Sequence, residues 1–154
     1  ALQAFQIRAA NLQRAVAGSV RVIAEMENRI AHVREAMVQT PAAGDAERSV
    51  LQQLASRLAD VSMAVNGDAT IASRNEPVPM SIASRAFSLY SGLAFTQSAA
   101  GGNFQASYRV AADEFAAALR SLRLIEADLG ALETSLDLKG APWTPGRVPD
   151  WSPD

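Results

Sequence analysis

The stretch FQASYRVAADEFAAALRSLRLIEADLGALETSL (Phe104 to Leu136) decides the fold class of this chain. Its apolar residues are Phe104, Tyr108, Ala111, Phe115, Ala118, Leu122, Ile125, Leu129, Leu132 and Leu136, and their spacings alternate between four and three without a miss. That rhythm holds them on one stripe of an α-helix. Gly140, followed by Pro142, is the usual helix stop. The pattern predicts a helix over 104–138, roughly 35 residues or ~52 Å at 1.5 Å per residue.

Working outward, the same rhythm recurs three times. From Leu2 one series is Leu2, Ala9, Val16, Ile23, Ile30 and Met37, and its partner series is Phe5, Leu12, Ser19, Met26 and Val33. Thr40-Pro41 closes the run, because the residue before proline is pushed out of helical geometry. This predicts a first helix over 2–39, ~57 Å long, with Gly18-Ser19 a small-residue spot where a neighbouring helix can come close. Asp45 is positioned to cap a second helix over 46–66, carrying Leu51, Leu54, Leu58, Val61 and Val65 and stopping at Asn66-Gly67. Ser81 is positioned to cap a third over 82–98, with Ile82, Ala86, Leu89 and Leu93 on its stripe, Phe87 and Tyr90 beside it, and a break from Ala99 to Gly102. Between the second and third lies GDATIASRNEPVPM, a connector of about fourteen residues, long enough to suggest a functional or anchored loop.

Four amphipathic helices read as an all-α antiparallel up-down-up-down bundle over 1–139, followed by a Pro/Trp-rich extended tail over 140–154. Because the second and third helices are short, the first and last are expected to run on as a two-helix stalk, with both termini at its free end. Leu2, Phe5, Leu129 and Leu136 would then be partly exposed there.

Composition narrows function mostly by exclusion. The chain has 154 residues, 49% hydrophobic and 19% charged, in the range of one folded domain. Its net charge of −2 is built with thirteen Arg and a single Lys spread along the chain, which argues against a nucleic-acid partner. There is no cysteine. No apolar run approaches the ~18 residues of a membrane span. Ala1 opens directly into a helical pattern, as though the domain belonged to something longer.

The search for chemistry finds no catalytic, metal or cofactor constellation. His32, the only histidine, falls off the apolar stripe with no partner in view and reads as solvent-facing. The carboxylate pairs Glu25/Glu27, Asp113/Glu114 and Glu126/Asp128 also lie off the stripes, near arginines at helical spacing such as Arg29 for Glu25 and Arg109 for Asp113. They read as surface i,i+4 pairing rather than as the two carboxylates of a glycosidase.

Two segments carry a family likeness: GDATIASRNEPVPMSIASR (Gly67 to Arg85) and LGALETSLDLKGAPWTPGRVPDW (Leu129 to Trp151). With the helices around them they resemble the C-terminal helical region of bacterial proteins with BNR/sortilin-like β-propellers, often labelled "glycosyl hydrolase, BNR repeat". The resemblance implies a non-catalytic accessory domain behind an upstream propeller, in a periplasmic or cell-surface protein. No Ser-x-Asp-x-Gly-x-x-Trp box is present, so the hydrolase label does not transfer to these residues. The alternatives are a coiled-coil oligomerisation or partner-binding module and, third, a ligand-sensing bundle. The candidate interface residues are Trp143 and Trp151 in the tail, Arg74, Asn75 and Glu76 in the connector, and Leu2 and Phe5 on the stalk. Proline-stiffened backbone loses little entropy on docking, so the tail reads as a strap anchored by its two indoles.

Overall fold

The structure, a computed structural model, describes residues 1–97 and 101–154. Among them every regular element is an α-helix: α1 (Leu2–Val38), α2 (Asp45–Asn66), a single turn α3 (Ala69–Ala72), α4 (Ile82–Ala94) and α5 (Gly102–Leu138). The expected third helix ends at Ala94 rather than near residue 98, and Ser98, Ala99 and Ala100 lie outside the described residues. The connector, expected as loop throughout, contains the extra turn α3, capped by Asp68 Oδ1 accepting from the Thr70 and Ile71 N–H groups at 2.8 and 3.3 Å.

Helix ends follow local chemistry. Thr40 closes α1 by donating its hydroxyl to the Ala36 carbonyl at 2.6 Å. Asp45 is not the cap of α2. Gly44 takes that position and donates its N–H to Glu47 Oε2 at 2.8 Å, while Asp45 stands in the first turn, where a carboxylate suits the helix dipole. Ser81 does cap α4, accepting from the Ser84 N–H at 3.2 Å. At the end of α5, the Gly140 N–H donates to the Asp137 carbonyl and the Ala141 N–H to Leu136, with Gly140 at φ +79°. This is the Schellman arrangement, and it tucks Ala141 against the core.

The stalk expectation is overturned. Phe5 meets the Tyr108 ring edge-on at 5.5 Å, and Arg29 pairs with Glu133 about 24 residues further along both helices, so α1 and α5 run in the same direction. Against α5, α2 runs the other way: Glu47 pairs with Lys139 and Arg57 with Asp128 at 2.7 Å. The Gln6 amide donates to the Leu93 carbonyl at 3.0 Å, which sets the end of α4 beside the start of α1. The short helices α2 and α4 therefore stand end to end and form one column, opposed to both long helices. The 22 and 13 residues of α2 and α4 give a column of about 52 Å, close to the roughly 55 Å of each 37-residue long helix.

The physical reason is the connector. A built Cβ on Gly67 would lie 3.3 Å from Ser81 Cβ, so the chain leaves α2 and returns beside the same point before starting α4. The connector is a loop with nearly coincident ends, and because Leu93 lies beside Gln6, α4 leaves it in the direction of α2 and does not reverse. Gly67 (φ +82°) is the residue that permits both the turn and the close approach. The tandem column covers the apolar stripes of α1 and α5 along their whole length. One contiguous core runs from Leu12 to Ala141, and a smaller cluster of Phe5, Ala9 and Leu93 fills the other end. Ala1 lies at that second end, while the tail leaves α5 at the opposite end, beside the last turns of α1.

Candidate functional site

Three surfaces hold most of the residues singled out by sequence. At the top of the molecule the tail turns back toward α1, and Pro142, Trp143, Thr144 and Pro145 line a shallow groove with His32, Glu35, Ala36 and Gln39. His32 is thus half-buried beside the tail rather than solvent-facing. Arg147 fastens the strap. Its guanidinium forks onto Asp137, with Nη1 donating to Oδ1 at 3.1 Å and Nη2 to Oδ2, and it also donates to the Thr144 hydroxyl at 3.2 Å. The same group lies 5.2 Å from the centroid of the Trp143 ring. The Asp137 hydrogen bond raises the Arg147 pKa above its ordinary value, against an opposing effect of burial. Thr144 is buried, Trp143 is 41% exposed and Trp151 is 80% exposed, so the two indoles are unequally seated.

Sequence reasoning missed the group beneath this strap. Glu133 is buried between Leu132 and Leu136, receives Arg29 on Oε1, and holds Arg147 Nε 3.8 Å from Oε2. Oε2 accepts no hydrogen bond, so its charge is balanced by the ion pair alone. The signal was present: Glu133 is four residues after Leu129 and three before Leu136, on the flank of the stripe. The expected partner for Arg29 was Glu25 one turn back, and the observed one is on another helix. Asp128 likewise reaches Arg57 on α2 rather than a neighbour in its own helix. That pair is solvent-exposed on both sides and adds little stability.

The second surface is the connector. Arg74, Asn75 and Glu76 are all exposed just past α3, with Asn75 in the left-handed region at φ 54°. The third is the outer face of α4. Phe87 and Tyr90 are exposed there, and Phe95 follows at its C-cap, 89% exposed. The stalk residues fall elsewhere. Phe5 is buried against Ala9 and Leu93, Leu2 is half-buried beside them, and Leu129 and Leu136 belong to the main core. The apolar strip expected on a free stalk is absent because the tandem column covers it.

The exposed groups of these three surfaces include the rings of Phe87, Tyr90 and Phe95, the prolines of the tail, and Arg74, Asn75 and Glu76 of the connector. Among the described residues no group of three or more His, Asp or Glu is placed to hold a metal ion, and no helix is long and apolar enough to cross a membrane. Scans against protein-family models, curated proteins and solved structures returned no match.

Proposed function

We propose that this chain is a non-catalytic helical module that supports or recruits a protein surface. In this reading it is the C-terminal accessory domain of a larger exported polypeptide that begins with a BNR/sortilin-like β-propeller, and it works in the periplasm or at the cell surface. The observation that carries the proposal is the outer face of α4. Phe87 is 58% exposed and Tyr90 46%, on a helix whose other face already packs the core. Aromatic residues with a packed backing are what interface centres are enriched in. The strap adds a second handle, because Trp151 stands clear of the bundle while Arg147 holds the segment before it.

The test separates the two parts. Propeller and helical module, expressed as separate chains, are expected to associate in calorimetry. Phe87→Ser combined with Tyr90→Ser is expected to abolish that association while the helical circular dichroism stays unchanged. A module that ignores the propeller, or that hydrolyses a glycoside by itself, would sink the reading. The oligomerising alternative has lost the stalk surface it needed and keeps only the α4 face. Sedimentation over a range of concentrations distinguishes the two, since only self-association depends on the concentration of this chain alone.

A further inference from the structure

Where α2 ends and α4 begins, the re-entrant connector leaves a groove of about 600 Å³ against the middle of α5. Its apolar side is Met63, Ile71, Val78 and Met80, over the buried Val61 and Ile82. Of the four methionines in the chain, Met26 and Met37 are core residues, whereas Met63 and Met80 line this groove 53% and 49% exposed. Its polar side is acidic: Asp60, Asp68 and Glu114 line it, and no Arg or Lys does. Among the described residues neither Asp60 nor Glu114 has an ion-pair partner.

This combination selects an occupant. Methionine side chains adapt to apolar groups of varied shape, so the floor accepts large aliphatic or aromatic anchors without demanding one. The unpaired carboxylates favour cationic neighbours and penalise anionic ones. That disfavours the tail of another copy, where Val148 and Trp151 are interleaved with Asp150 and Asp154 and the one cation, Arg147, is held by Asp137. It also disfavours the same groove on a second copy, which would set carboxylate against carboxylate, and an anionic lipid surface. We propose that the groove docks a short segment of a partner protein that carries one or two large apolar side chains flanked by Lys or Arg. The groove is distinct from the outer face of α4, and the inference stands whether or not a propeller is the partner there.

The four methionines provide the readout. The chain, labelled with 13C at its methionine methyls, is titrated with a peptide of about twelve residues made of Lys and Leu with one Trp, and separately with its Glu-for-Lys counterpart. The Met63 and Met80 signals are expected to move saturably with the basic peptide only, while Met26 and Met37 stay still. Raising salt from about 0.15 to 0.5 M is expected to weaken binding several-fold. Asp60→Lys with Glu114→Lys is expected to weaken it about tenfold. Both positions are exposed, and Asp60→Asn with Glu114→Gln gives the same reading in a milder form should the reversal disturb folding. No movement of Met63 and Met80 up to about 1 mM peptide, the weak end of specific recognition, overturns the proposal. So does an equal response to both peptides, or a shift of these two signals that follows the concentration of the chain without peptide.

Discussion

The helices α2 and α4 share one column and do the same work in the core, yet only α4 turns aromatic rings outward. Inward, α2 buries Leu51, Leu54, Leu58, Val61 and Val65, and α4 buries Ile82, Ala86, Leu89 and Leu93, each against the same two long helices. Outward, α2 is mostly polar, showing Arg48, Gln52, Gln53, Ser56 and Asp60, with Val50 and Met63 its exposed large apolar side chains. Outward, α4 shows the rings of Phe87 and Tyr90 together with Ser84, Ser88 and Ala94, and Arg85 is its only charged residue. Since α2 docks with a mostly polar outer face and no aromatic ring, the fold does not require exposed rings on α4. Apolar surface that packing does not need is the kind that marks an interaction site.

The comparison is broken most directly at the shared inner face. Leu54→Ala on α2 and Leu89→Ala on α4 are each expected to cost about 2–5 kcal/mol in urea unfolding, the range for emptying a buried leucine site. A loss at Leu89 well below that at Leu54 would mean that α4 is a loosely docked appendage and not half of a column. The strap comes next. Arg147→Ala removes a charged fork from Asp137 and the second cation near buried Glu133, and should cost about 1–3 kcal/mol. In a Trp151→Phe background the same change should also shift the Trp143 emission to the red. An unmoved spectrum would mean that Trp143 is held by the groove and not by Arg147.

The joint between the two helices is expected to be less sensitive. Gly67→Ala places a side chain at φ +82°, 3.3 Å from Ser81, and should cost about 1–2 kcal/mol. If stability is unchanged, the end-to-end register of α2 and α4 does not depend on this contact. The smallest effect is expected on the outer face itself. Phe87→Ser and Tyr90→Ser should each change stability by no more than about 0.5 kcal/mol. A large loss there would show that α4 uses its aromatic face for folding after all, and the contrast with α2 would disappear.

Much of this was readable from spacing. Every residue in the two heptad series of the first helix is buried except half-buried Leu2, and Ala111 to Leu136 are buried on α5 where the four-three rhythm placed them. The stops at Thr40, Asn66-Gly67 and Gly140 and the cap at Ser81 were equally legible, because each is a matter of a few bonded neighbours. The direction of α4 was not. A proline-bearing connector reads the same whether it reverses the chain or lets it continue, and the seat of Leu93 beside Gln6 and Phe5 at the start of α1 distinguishes the two.

By itself, then, the sequence determined which residues are helical and which face of each helix is apolar, because periodicity and capping act within one or two turns. Tertiary structure decided how the helices share their stripes, hence the tandem column, the opposite ends from which Ala1 and the tail depart, and the burial of Phe5 that a stalk would have exposed. It also decided the ion pairs. Arg29 with Glu133 and Arg147 with Asp137 join groups from different segments around a buried carboxylate, and charges choose such partners only after packing has brought the segments together.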